Sequence, residues 1–155
     1  MASAVDRFLQ AALDLGIEVD TRHYPEGTKT AGDAAAAIGC DVAQIVKSLV
    51  FMADDEPVLV LTSGANRVDT QKVAAAVGAT KVRKADADEV RAATGFAIGG
   101  TPPFGHPEPM TTLIDPDLLD FQVVHAAAGT PDTNFGITPS RLVEVTGGAI
   151  TEVAD

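Results

Sequence analysis

The sequence predicts an α+β domain on a mixed sheet, and three observations predict it. Helical and strand-like periodicities are interleaved along the chain in short pieces. Two branched, apolar runs flank an acidic turn and so make a hairpin. Regular β-α-β alternation is missing, which separates the pattern from doubly wound and barrel folds. The 155 residues suit one domain over 1–155, large enough to enclose a core without disulfides or structural metal.

Phe8, Leu9, Ala12, Leu13 and Leu15 recur at helical spacing and Gly16 supplies a stop, so Ala2 to Leu15 read as an amphipathic helix. Ile17 to Tyr24 is extended. Thr30, Ala31 and the alanine-rich run to Ile38 predict a short helix ended by Gly39, and Asp41 is suited to cap a brief turn before Ile45. Ile45–Met52 and Pro57–Thr62 are the hairpin strands, with Asp54, Asp55 and Glu56 between them. Asp69 can cap a helix over Thr70–Val77 that Gly78 ends, and Asp86 a further helix to Ala93 before Gly95. Strands are expected at Thr111–Ile114, Phe121–Ala127 and Ala149–Val153, and Pro139 opens a helix to Val145.

Hydrophobic residues at 46% and charged residues at 21% exclude a disordered chain. A net charge of −11 argues against a protein that grips nucleic acid over a long footprint, because phosphate contacts need many Lys and Arg side chains. Any such contact is small or assisted. Lys72, Lys81, Arg83 and Lys84 fall in one stretch, which reads either as a solvated helix-and-strand surface or as a local phosphate patch. Met1 to Gly16 carries Asp6 and Arg7 and lacks the pattern of a signal peptide. No uncharged apolar run is long enough to span a membrane, and the lone Cys40 agrees with a reducing compartment, so a cytoplasmic setting is expected.

Two features resist a purely structural reading. Strand alternation puts Lys47 on the face of Ile45, Leu49 and Phe51. If that face is core, an ammonium group there is costly unless it meets an anion or opens onto a cleft; the other reading is an edge-strand lysine reaching water. The second feature is the run Thr94 to His106, with Gly99-Gly100 followed by Thr101-Pro102-Pro103-Phe104. Paired glycines let backbone amides approach a ligand, and the prolines stiffen the chain after them, so the loop suits a carbonyl oxygen or its oxyanion. A rigid connecting turn is the alternative. The run lacks the spacings of nucleotide-phosphate loops. His23, His106, His125 and Cys40 show no metal-ligand spacing, and neither Ser48, Ser63 nor Cys40 sits in a nucleophile motif, so hydrolysis here would use an activated water.

Ile45-Val46-Lys47-Ser48-Leu49-Val50-Phe51, then Gly64-Ala65-Asn66-Arg67-Val68-Asp69 with Lys72, then Thr94 to Gly105, resemble in that order the YbaK/ProX family of prolyl-tRNA synthetase-associated editing domains. The resemblance continues through Leu113-Ile114-Asp115 and Ala126–Gly129 to Phe135-Gly136-Ile137-Thr138-Pro139, and so covers nearly the whole chain.

That resemblance implies a curled mixed β-sheet with surrounding helices. It implies a trans-editing aminoacyl-tRNA deacylase that hydrolyses the ester of a mischarged tRNA without metal or other cofactor. Lys47 would lie at the 3′-terminal nucleotide, and Gly99 and Gly100 at the aminoacyl carbonyl, helping to place water. Tyr24, Thr30, Ala31, Thr101, Pro102, Ala127 and Asn134 would form the substrate-binding walls. The partner is the aminoacylated acceptor end of tRNA, whose terminal ribose hydroxyl assists the water, and the acidic surface fits delivery by an aminoacyl-tRNA synthetase or an elongation factor. No membrane is involved. Ala31 stands where cysteinyl-type members carry an aromatic residue, and Ala127 where they carry serine, so the walls depart from the cysteinyl pattern. A module that binds a tRNA end or a synthetase with little or no hydrolysis is the alternative.

Overall fold

Each helix begins where a short polar side chain takes up one of the amides that the first turn leaves free. The computed structural model describes residues 2–28 and 30–155. Ser3 caps α1 (Ala4–Asp14), and Asp6 reciprocates by accepting from the Ser3 amide. This capping box starts the helix two residues later than periodicity alone predicts. Thr30, Asp69, Asp86 and Thr138 cap α2 (Ala31–Ile38), α3 (Thr70–Val77), α4 (Ala87–Thr94) and α5 (Pro139–Thr146). Among the described residues no helix is long and apolar enough to cross a membrane.

The strands are β1 (Thr21–His23), β2 (Val46–Ala53), β3 (Glu56–Ser63), β4 (Val82–Lys84), β5 (Thr111–Ile114), β6 (Val124–Ala127), β7 (Thr133–Ile137) and β8 (Ala149–Ile150). A five-stranded mixed sheet runs β4-β2-β3-β5-β8, and a three-stranded sheet runs β1-β7-β6. The sheets meet where Ile45 forms a parallel bridge to His125. The predicted hairpin is present with its register running from Val46–Ser63 to Ala53–Glu56. Its turn is tighter than expected: Asp54 and Asp55 alone turn the chain, both at positive φ as a two-residue loop matched to strand twist requires, and Glu56 joins the strand.

Two strands are shorter than expected, and two, β4 and β7, are not expected from the pattern. The strand expected from Phe121 begins only at Val124, because the chain bends at Phe121 and Gln122 as it leaves the 3-10 turn over Pro116–Asp120 that Asp115 caps. The last strand pairs only at Ala149 and Ile150. β4 is not predicted by the sequence, since three residues ending in exposed Arg83 and Lys84 carry no usable alternation. It is held from outside: the Asp54 carboxylate accepts from the Thr80 and Lys81 amides at 2.7 and 2.9 Å.

The two faces of β2 enter different cores. Val46 and Val50 join Leu59, Leu61, Phe8, Phe104 and Phe135 between the sheets, where the three rings stack with centroids 5.1–5.7 Å apart. Burying each such ring contributes about 1.5–3 kcal/mol, so this cluster anchors α1 and the 94–105 loop to both sheets. Leu49, Phe51 and Ala53 pack on the opposite face against Val58, Val60, Val73 and Val153, under α3.

Candidate functional site

β4 covers β2 only at Phe51–Ala53, so the outer edge of β2 from 46 to 49 has no neighbour within its own sheet. A cavity of about 420 Å³ lies there. Its walls come from β2, α2, the 98–101 loop, β6 and β7, and carry Thr30, Ala31, Ala34, Ile45, Lys47, Ser48, Gly99, Thr101, Ala127 and Asn134. The structure therefore brings together Lys47, Gly99, Thr30, Ala31, Thr101, Ala127 and Asn134 from the residues singled out in the sequence. Tyr24, Gly100 and Pro102 stand outside the lining. Tyr24 closes the end of β1, its amide donating to the Asp132 carbonyl at 2.7 Å. The Pro102 carbonyl accepts from His106 Nε2 at 2.8 Å, which requires the proton on that nitrogen.

Lys47 is half-buried, and its amine neither lies unpartnered in the core nor reaches freely to water. Nζ donates to the backbone carbonyl of Asn66 at 2.6 Å. Asn66 is held in turn, its Nδ2 donating to Asp115 Oδ2 and Asp117 Oδ2 at 2.8 Å each. Asp115, 1% exposed, also accepts from the Thr62 hydroxyl at 2.9 Å, the Ser63 amide at 3.0 Å and the Asp117 amide at 2.9 Å. Burial pushes the Asp115 carboxyl up, but these donors outweigh it and leave it below the usual aspartate range. Burial lowers the pKa of Lys47, as do Lys84 and Arg67 nearby, while Asp115 opposes the shift. The charged group thus sits on a small braced platform beside the cavity.

The glycine loop is braced from both ends. The Thr94 hydroxyl donates to the Val90 carbonyl and accepts from the Phe96 amide, and the Thr101 hydroxyl donates to the Ala97 carbonyl at 3.0 Å. Gly100 is structural: its amide donates to Ala97 O and its carbonyl accepts from the Gly129 amide, both at 3.0 Å. A Cβ at Gly100 would lie 2.8 Å from the Gly129 oxygen, so only glycine lets the loop seat against that segment. Because the Gly100 amide is spent, the loop's free donors are its neighbours. Among the described residues the Gly99 and Thr101 amides have no protein acceptor, and both residues line the cavity.

On the opposite wall the Thr28 hydroxyl donates to the Pro131 carbonyl, so its oxygen must accept from Asn134 Nδ2 at 2.8 Å. That network sets the Asn134 amide orientation. Sequence reasoning weighs Ser48 only as a nucleophile, yet it lines the cavity with a buried hydroxyl that has no partner among the described residues. Its one sequence signal is adjacency to Lys47.

A second cavity, about 550 Å³, lies between α1 and the 103–110 segment. Two of its polar groups are committed, Arg7 to the Gly95 carbonyl at 2.9 Å and over the Phe96 ring at 4.8 Å, and His106 to Pro102. Of the basic stretch, Arg83 is paired with Glu89 at 2.7 Å and Lys72 donates to the Ala154 carbonyl, while Lys81 and Lys84 are exposed and in no ion pair among the described residues. Among the described residues no three His, Cys, Asp or Glu side chains cluster as metal ligands would.

Residues 25–145 match the family model of the aminoacyl-tRNA editing domain. The Bacillus subtilis protein YwhH is 32% identical over 128 residues, covering 82% of this chain and 81% of that protein. The proline–tRNA ligase of Streptococcus pyogenes serotype M18 is 31% identical over 134 residues, 84% of this chain but only 21% of the ligase, so the chain corresponds to one portion of that enzyme. A crystal structure of a candidate trans-editing enzyme for prolyl tRNA synthetase superposes with a TM-score of 0.94 at 40% identity, covering 100% of this chain and 99% of that one. With its model match spanning most of the sequence, the chain belongs to the aminoacyl-tRNA editing domain family.

Proposed function

We propose that this chain, as one editing domain over residues 1–155, hydrolyses the ester that joins a wrong amino acid to the 3′ end of a tRNA. The observation that carries the reading is the braced Lys47 amine at a cavity with small apolar walls, faced by a loop with two unspent amides. Lys47 attracts the terminal phosphate or ribose by charge. The Gly99 and Thr101 amides polarise the ester carbonyl and stabilise the oxyanion that forms when water attacks. The C–O bond to the ribose then breaks, the ribose oxygen takes the proton that water loses, and free amino acid leaves.

Among the described residues those lining the cavity include no carboxylate or imidazole, which supports assistance from the neighbouring hydroxyl of the tRNA's own ribose. The reaction is taken to need no metal and to run in the cytoplasm. With a net charge of −11, a synthetase or elongation factor is the natural source of the tRNA. Release of amino acid from cysteinyl-, alanyl-, seryl-, threonyl- and prolyl-tRNA, measured with chelator for the wild type and Lys47→Ala, tests this. Lys47-dependent, chelator-resistant release is expected from one or two substrates. Release from none would leave a module that binds a tRNA end or a synthetase.

A further inference from the structure

We propose that Ser48 is a substrate-contacting residue whose hydroxyl hydrogen-bonds a polar atom of the acyl group held in the cavity, an inference that rests on the function proposed above. Ser48 Oγ is buried without a partner among the described residues, which a side chain on a paired strand rarely tolerates. Among the described residues the other polar side chains named at the cavity each have a protein partner: Lys47 has Asn66, Thr101 has Ala97, and Asn134 has Thr28. A buried hydroxyl left unpaired carries its full desolvation cost, so its retention calls for a partner that arrives later.

Ser48 shares a face with Val46 and Val50 and lies beside the stretch of β2 that β4 leaves uncovered. The Val50 carbonyl accepts from the Ala85 amide on the β4 side of β2. Backbone groups alternate in direction along a strand, so Ser48 presents its own N–H and C=O along the same outer edge, where β4 no longer runs. That open edge is the cavity wall. Rotation about χ1 exchanges an unpartnered position for one against the ligand, with no protein hydrogen bond to break. Lys47 supplies the charge suited to the anionic nucleotide, and the cavity that both residues line also carries the small apolar side chains of Ala31 and Ala127, which suit an acyl group.

The test compares wild type, Ser48→Ala and Ser48→Thr as full chains. Binding is measured by calorimetry for non-hydrolysable 3′-aminoacylamido-adenosines (alanyl, seryl, threonyl, cysteinyl and prolyl) and for adenosine monophosphate alone. Thermal denaturation is followed in parallel. Ser48→Ala is expected to bind the best aminoacyl probe about fivefold more weakly or worse, as loss of one hydrogen bond implies. Adenosine monophosphate binding should not change, Tm should be unchanged or raised, and Ser48→Thr should recover part of the affinity. Equal binding of the probe by Ser48→Ala, or equal weakening for adenosine monophosphate with a lowered Tm, overturns the proposal. If the wild type binds a probe in a Ser48-dependent way but releases no amino acid from any tRNA, the deacylase reading fails and the Ser48 contact stands. If it hydrolyses and Ser48→Ala does so equally well with unchanged probe binding, the contact fails and the deacylase reading stands. Wild type that binds no probe overturns the Ser48 contact.

Discussion

Lys47 Nζ donates to the backbone carbonyl of Asn66 at 2.6 Å, across 19 residues of sequence. This hydrogen bond turns a flexible side chain into a placed charge, because the Asn66 side chain is itself clamped between Asp115 and Asp117. A lysine free in water would lose roughly 2 kcal/mol of rotamer entropy on meeting a ligand, and part of that is already spent here.

Replacing Lys47 with Ala is therefore expected to lower kcat/KM for deacylation about 100-fold, in the range seen when one electrostatic donor is removed, with little change in Tm. Because the charged form is the active one and its pKa is lowered, the rate should fall on the alkaline side at a lower pH than an ordinary lysine would give. A pH–rate profile that stays flat through that region, or an undiminished rate in Lys47→Ala, refutes the role.

Asp115 carries the brace. Asp115→Ala strands the Thr62 hydroxyl and the Ser63 and Asp117 amides and leaves the Asn66 side chain held by Asp117 alone, and should destabilise by about 3 kcal/mol in urea unfolding. Since its folded pKa lies below the unfolded one, its ionised form contributes stability above the unfolded pKa. That contribution is lost as pH falls through the folded value. Asp115→Asn should remove this part of the acid slope while keeping the shape, and an identical slope in wild type and variant would count against the assignment.

The two loop glycines should respond differently. Gly100→Ala forces a Cβ to within 2.8 Å of the Gly129 oxygen and should cost about 1–3 kcal/mol by displacing backbone, along with activity. Gly99→Ala meets nothing closer than Pro131 at 3.6 Å, so its cost is the roughly 1–2 kcal/mol strain of φ +86. Thermal denaturation beside the deacylation assay separates the two, and a Gly100→Ala protein with wild-type Tm and rate would contradict the packing described.

Ala127→Leu fills part of the cavity without touching Lys47 or the loop hydrogen bonds. KM should rise about tenfold or more for the preferred aminoacyl-tRNA while Tm stays within a few degrees. An unchanged KM would show that the acyl group does not pass that wall.

Much of the architecture is legible in the sequence because it is governed locally. Capping side chains act within three residues, which is why Thr30, Asp69, Asp86 and Pro139 mark helix starts correctly. Two branched, apolar runs about the polar Asp54-Asp55-Glu56 segment mark the hairpin, although only Asp54 and Asp55 make its turn. β4 is hidden because its place depends on a carboxylate from a distant turn.

The caps of α2, α3 and α4, the presence of the hairpin and the ordered blocks around Lys47, Asn66 and Gly99 that carry the family likeness are legible in the sequence, because all of them are matters of short-range geometry and residue type. Long-range packing sets where β4 stops and leaves an open edge on β2, and among the described residues it leaves the Gly100 amide spent, the Gly99 and Thr101 amides without a protein acceptor, and Ser48 buried without a partner. The physical reason is range. Asn66 meets Asp115 across 49 residues and Asn134 meets Thr28 across 106, and sheet order rather than local propensity brings such groups together.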